Sequence, residues 1–228
     1  MITLPGFLGI PHDWEILKKY SPLYLDIFDD KSFFPEKGLI EAGKTINAIA
    51  KTTPQQKVLI GYSLGGRLAL HALIDDLSSW KAAVIVSANP GLQLHRDKES
   101  RLQKDRYWAS QFRLKPWEAV MAAWNTQDVF NKVPIKRNEK DFSREYLAQI
   151  LENWSLGNQA DLRQAIGELD IPILWVTGEN DTQFTSFAKS VLLSHPLSRK
   201  CEIKDAAHRI LWEQKESFLQ ELETFLRH

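Results

Sequence analysis

The chain has 228 residues, with 29 Lys and Arg against 29 Asp and Glu, 43% hydrophobic residues and a single cysteine. That length suits one α/β domain with an insertion and is enough to bury a large core. Zero formal charge gives no global attraction to nucleic acid or an anionic membrane, Cys201 alone forms no internal disulfide and fits a reducing cytosol, and neither a leader peptide nor a membrane-spanning apolar run is expected.

Short β-rich runs alternate with helical patterns, which predicts a mainly parallel sheet of about six strands covered on both faces. Residues 2–4 predict the first strand. The loop after it, Leu4-Pro5-Gly6-Phe7-Leu8-Gly9, has glycines that let backbone approach a ligand. A helix is expected over residues 13–19, a strand over 23–28 and a helix over 39–52. The strand at 57–60 runs into Gly61-Tyr62-Ser63-Leu64-Gly65 and then the helical pattern of residues 64–77. Strand, sharp turn and helix around a serine make G-x-S-x-G a candidate nucleophile elbow, with Ser63 exposed at the carboxyl end of the sheet. The plainer alternative is a serine that only caps the helix.

After a strand at 82–87 the rhythm breaks. Residues 91–157 contain no good strand and read as helices at 97–112, 117–125 and 142–153, with Trp108, Trp117, Trp124 and Trp154 among them. They predict a helical cap inserted into a core made of residues 1–90 and 158–228. The cap's 95–140 stretch carries 11 Lys and Arg against 6 Asp and Glu, an excess that would draw anions toward a pocket below it. The core then resumes with a helix at 159–169, a strand at 171–177, a helix at 182–193, a strand at 200–204 and a helix at 213–226.

A serine alcohol needs a histidine within reach and a carboxylate to orient that histidine. Of the six histidines, His12, His71, His95, His195 and His228 have the wrong position or order. His208 lies between the last strand and the last helix, where such a base belongs. Asp181, just past the 171–177 strand, is the expected carboxylate. Glu179 is the nearby competitor, Asp205 is too close to His208 in sequence, and helix capping is the plainer role for Asp181. Backbone amides of Leu64 and Phe7 are the expected donors to developing negative charge. Nothing in the sequence predicts a metal or organic cofactor.

Over nearly its whole length the chain resembles the α/β-hydrolase superfamily. More narrowly it is similar to the family of synthases that make 2-succinyl-6-hydroxy-2,4-cyclohexadiene-1-carboxylate in menaquinone and phylloquinone biosynthesis. The matching segments are Pro5-Gly-Phe-Leu-Gly9 with Asp13-Trp14, Gly61-Tyr-Ser-Leu-Gly-Gly-Arg67, Ala88-Asn-Pro-Gly-Leu92 and Asp105-Arg-Tyr-Trp108. Trp124 with Gln127, Val129 and Phe130, Gly178-Glu-Asn-Asp181 with Phe184, and His208 complete them. The resemblance implies a lyase that eliminates pyruvate, with the triad relaying a proton, instead of an esterase or thioesterase. It implies a small polycarboxylate substrate held by Arg67, Arg106 and Arg137 (Arg144 being the alternative for the third), with Tyr62, Trp124 and Phe130 lining the pocket. Pro5 stands where the family has histidine, and Ala207 where it has glycine. Relatives carry two further strands before this chain's first, so residues 23–28 should form a sheet edge. That edge is either charge-protected, with Pro22 and Asp26 opposing pairing, or used in a homodimer, so monomer and homodimer both stay open.

Overall fold

The structure, a computed structural model, describes residues 1–28, 31–130 and 133–227. Its sheet has six parallel strands: β1 (Ile2–Leu4), β2 (Leu23–Tyr24), β3 (Lys57–Tyr62), β4 (Trp80–Val86), β5 (Ile173–Gly178) and β6 (Arg199–Ile203). Their order is β2-β1-β3-β4-β5-β6. Strands buried on both faces read as continuous apolar runs, and alternate residues point to opposite faces. Leu59, Ala83, Ile85, Ile173 and Trp175 accordingly join one buried cluster. Val58, Ile60, Val84, Leu174 and Val176 join a second.

Among the described residues nine α-helices follow in chain order: α1 (Gly38–Ala50), α2 (Leu64–Asp75), α3 (His95–Leu114), α4 (Trp117–Asn125), α5 (Arg144–Asn153), α6 (Arg163–Gly167), α7 (Thr182–Lys189), α8 (Ile210–Glu213) and α9 (Lys215–Leu226). Helices α1 and α2 pack together on the first face, where Leu39, Ile46, Leu68 and Leu73 meet the sheet. A ten-residue 3-10 segment, Pro11–Tyr20, covers the second face with α9 through Trp14, Leu17, Phe218 and Leu222. Between β4 and β5 the described residues form no strand, only α3 to α5, α6 and short 3-10 turns.

Several boundaries move for identifiable reasons. The strand expected over 23–28 pairs only at Leu23 and Tyr24, because the Asp26 side chain takes the Phe28 N–H at 3.0 Å and turns the chain inward. Leu25, Ile27 and Phe28 are then buried in the core, not spread along an edge. The helix expected over 159–169 starts only at Arg163, since the buried Gln159 side chain is engaged elsewhere. The last helix, expected over 213–226, starts at Lys215 because Gln214 is non-helical (φ −141°, ψ 60°), and α8 is a separate short helix just after His208. None of the described helices is long and apolar enough to cross a membrane.

Candidate active site

Ser63 stands between β3 and α2 with φ 52° and ψ −108°, a conformation that costs a non-glycine residue energy and persists only when its surroundings enforce it. The enforcement is close packing. A Cβ on Gly65 would lie 2.2 Å from the Leu4 carbonyl oxygen, and one on Gly61 would lie 2.3 Å from that of Gly65. The Ser63 side chain makes no cap bond to α2. Instead its Oγ lies 3.0 Å from His208 Nε2. His208 Nδ1 lies 2.8 Å from Asp181 Oδ2. Asp181 likewise spends no side-chain bond on capping α7, and Glu179 is exposed with its carboxylate on the Asp205 N–H. The three predicted triad residues therefore meet at the carboxyl ends of β3, β5 and β6, where ligands of parallel sheets bind.

The other histidines stand apart. His12 and His95 face solvent, and His195 is half-buried beyond α7. His71 is buried on α2, where burial first and then Arg67 hold its pKa down to about 4. His228 lies outside the described residues.

Phe7 and Leu64 both line the cavity beside Ser63. Leu64 is the first residue of α2, where N–H groups lack helical acceptors, and the Phe7 N–H donates to no described acceptor. The loop that carries Phe7 is closed by a Gly9 N–H to Gly6 carbonyl bond of 2.9 Å. It is braced from the cap by Arg137, whose Nε donates to the Leu8 carbonyl at 2.5 Å. Arg137 Nη2 also forks onto Asp13 at 2.6 and 2.8 Å, and Asp13 in turn accepts the Ile10 N–H. The His208 loop has its own brace, the Glu213 carboxylate, which accepts the N–H groups of Ala207 (2.8 Å) and Arg209 (2.9 Å) on either side of the histidine.

The cavity encloses about 610 Å³ between sheet and cap. Trp124 forms an aromatic wall with Phe7 and Trp108, its ring centroid 4.9 Å from each. Phe130 and Phe184 face the His208 ring, and Tyr62 sits 5.6 Å from it with its phenol pushed far up by burial. Arg67, one turn beyond Ser63, is buried with Nη2 on the Trp154 carbonyl (2.8 Å) and Nη1 on Gln159 (3.1 Å). Burial, and next the charge of Arg101, lower its pKa to about 9, against the pull of Asp105. It remains a cation at neutral pH with neutral partners only.

Two expected substrate arginines are placed differently from Arg67. Arg106 is exposed and absent from the cavity wall; Arg101 and Lys104 line it instead. Arg106 lies five residues beyond Arg101, which places it roughly 140° around α3. Arg137 does line the cavity, but four of its five N–H donors are engaged by Leu8, Lys136 and Asp13, so it braces a loop and has no two-donor fork left for a ligand. The alternative, Arg144, bonds Phe112, Lys115 and Glu139 away from the cavity. Sequence reasoning passed over Arg101, though Asp105 and Trp108 at four and seven residues further on share its face. It also passed over Glu213, which bonds backbone amides within its own loop, and Arg209, whose side chain reaches the distant Asn125 and Val133.

Residues 37–215 match the model of the alpha/beta hydrolase fold family. The chain is 33% identical to a 2-succinyl-6-hydroxy-2,4-cyclohexadiene-1-carboxylate synthase of Photorhabdus laumondii, over 92% of this chain and 80% of that one. It is 28% identical to the Citrobacter koseri protein of the same name, over 100% and 93%. Among solved structures it is similar to MenH from S. aureus, with a TM-score of 0.90 at 21% identity, covering 99% of this chain and 92% of that one. It is less similar to the carboxylesterase CesB from Bacillus subtilis, with a TM-score of 0.68 at 18% identity, over 99% and 82%.

Proposed function

Since the chain belongs to the alpha/beta hydrolase fold family and, within it, to the 2-succinyl-6-hydroxy-2,4-cyclohexadiene-1-carboxylate synthases, we propose that it is the menaquinone-pathway lyase that forms this product by eliminating pyruvate. The substrate is the corresponding 5-enolpyruvyl cyclohexene carboxylate. His208, oriented by Asp181, draws the proton from Ser63 Oγ, and Ser63 takes the proton from the ring carbon beside the succinyl ketone. The electron pair left behind spreads onto the ketone oxygen, toward which the Phe7 and Leu64 amides are directed as donors. Collapse of this enolate shifts the ring double bond and breaks the carbon–oxygen bond to the enolpyruvyl group. The departing enolate recovers a proton and becomes pyruvate. No acyl-enzyme forms and no water is consumed.

The observation that carries this reading over ester hydrolysis is Arg67. A buried guanidinium with no carboxylate partner costs desolvation energy that an anionic ligand can offset, and a neutral ester cannot. Arg101 and Lys104 extend the same wall. The test is pyruvate release from the enolpyruvyl precursor, coupled to lactate dehydrogenase, with spontaneous elimination subtracted. Fast release should fall by about three or more orders of magnitude in Ser63→Ala, the scale seen when a triad member is removed. No acceleration by folded protein, together with brisk turnover of p-nitrophenyl acetate, would replace this reading with an esterase.

A further inference from the structure

We infer that Arg209 binds a substrate carboxylate, forming a second cationic pole of the cavity on the histidine side, apart from Arg67 and Arg101 on the serine side. This rests on the proposed lyase reading only for the identity of the carboxylate.

Arg209 follows the catalytic histidine, lines the cavity and is 1% exposed. Its Nη1 donates to Asn125 Oδ1 at 2.9 Å and to the Val133 carbonyl. Its guanidinium carbon lies 3.8 Å from the centroid of the Phe130 ring. Nη2 is buried and has no partner among the described residues, and no described carboxylate pairs with the group. Glu213, four residues further on, is occupied by the Ala207 and Arg209 backbone amides.

Buried donors are almost always satisfied, and a buried guanidinium is costly when left without a counter-charge. Arg209 nevertheless keeps its charge: burial lowers its pKa only to about 10. The group is also held rigid. Asn125 is pinned by bonds to Met121, Ile135 and Arg209, and the Phe130 face fixes the guanidinium plane. A stiff cation with one unpartnered edge in a residue that lines the cavity is a pre-organised carboxylate receptor. The flanks of the two poles differ as well. Arg67 is held by Trp154 and Gln159, whereas Arg209 is held by Asn125 and Val133, from a different part of the chain. A ligand with carboxylates at separated ends fits that division, and the proposed substrate carries one on its succinyl arm and another on its leaving enolpyruvyl group.

The competing role is a strut that merely ties residues 125–133 to the His208 loop. Arg209→Gln and Arg209→Lys separate the two, assayed with competitive inhibition by pyruvate and by succinate and with thermal unfolding. A carboxylate receptor predicts a KM raised roughly 10- to 100-fold in Arg209→Gln, the range for a charged hydrogen bond. Inhibition by one of the two acids should weaken by a similar factor, and Arg209→Lys should recover part of both effects. Weakened pyruvate inhibition assigns the pole to the leaving group, and weakened succinate inhibition assigns it to the succinyl arm. Unchanged KM and unchanged inhibition by both acids overturn the inference, as does a loss confined to kcat with a lowered unfolding temperature. Should the wild-type protein release no pyruvate, the lyase reading falls, but quenching of the cavity tryptophans by pyruvate and succinate still decides Arg209. Binding lost in Arg209→Gln supports it; no binding to the wild type, or equal binding to both proteins, refutes it.

Discussion

Replacing Arg137 with methionine separates a loop brace from a substrate clamp. The Arg137–Asp13 pair is buried, with side chains 6% and 5% exposed. Burial raises the Asp13 carboxyl pKa despite the opposing pull of Arg137 and the Ile10 N–H, so desolvation is the larger influence at this site. Such a pair contributes little net stability, yet removing one partner strands the other charge and costs about 3–5 kcal/mol. For a chain of this size each kcal/mol is worth roughly 2–4 °C, so Arg137→Met should unfold about 6–20 °C lower. The double variant Asp13→Leu/Arg137→Met removes the stranded charge and should recover about half of that loss, leaving about 2 kcal/mol for the lost Ile10 and Leu8 bonds. In the pyruvate assay the single variant should lose kcat, because the Leu8 carbonyl no longer anchors the loop that presents Phe7. Thermal unfolding monitored by circular dichroism, alongside kcat and KM for the four corners of this cycle, gives the answer. An unfolding temperature within about 2 °C of wild type with a KM raised tenfold or more would refute the bracing role and return Arg137 to the substrate.

Three further outcomes follow from the same geometry. Arg67→Met should raise KM for the polycarboxylate roughly 10- to 100-fold by removing a charged hydrogen-bond donor, read from initial rates; an unchanged KM would exclude it from substrate binding. Gly65→Ala should cost about 3 kcal/mol or more in urea unfolding, since its Cβ would meet Leu4 backbone at 2.2 Å, whereas Gly167→Ala, with no neighbour nearer than 3.7 Å, should change stability by under about 1 kcal/mol. His71 has a folded pKa of about 4 against an ordinary 6.5, so between those values the unfolded chain binds more protons. Its contribution is full above pH 6.5 and falls away toward pH 4 by about 3 kcal/mol, and urea titrations at several pH values should show that slope reduced in His71→Leu.

The triad was legible because each member sits in a short strand-to-loop context with its own signature. Gly61 to Gly65 announce the elbow, Asp181 follows the strand whose apolar run is Ile173 to Val176, and His208 lies between a strand and an amphipathic helix. Those cues are local, and a parallel sheet brings strand ends together without further information. The cap offered no such help. Helix α3 is charged on most of its circumference, so no apolar stripe fixes its phase, and Arg106 and Arg101 look alike until the helix is docked. Asp105, Trp108, Ala109 and Phe112 are the face it buries, which carries Arg101 to the cavity and Arg106 to solvent. The brevity of β2 was missed for a similar reason. Residues 23–28 have strand composition throughout, and only the Asp26 side-chain bond ends the pairing. Arg137 and Glu213 were beyond sequence reasoning because each stabilises a loop far from itself in the chain or through backbone amides.

A triad at these distances can serve hydrolysis or proton transfer alike, so what surrounds it must decide between them. Charge pairing around the cavity makes that decision physically intelligible. Asp13 neutralises Arg137, and Asp105 takes Arg101 through a two-oxygen fork at 2.8 and 2.9 Å while also accepting Ser155. Arg67 and Arg209 are left without carboxylates, and both are buried. An acyl pocket for a neutral ester would bear two desolvated guanidinium groups to no purpose, and alternative apolar side chains of similar volume would be at least as stable there. A ligand that brings its own carboxylates reverses the sign of that cost. It also gains orientation, since charges fixed on the serine side and the histidine side would hold the ring carbon between Ser63 and the Phe7 and Leu64 amides. The two unpaired arginines support the proposed substrate, anionic at more than one point, and removing either should damage recognition of the polycarboxylate far more than turnover of any small neutral ester.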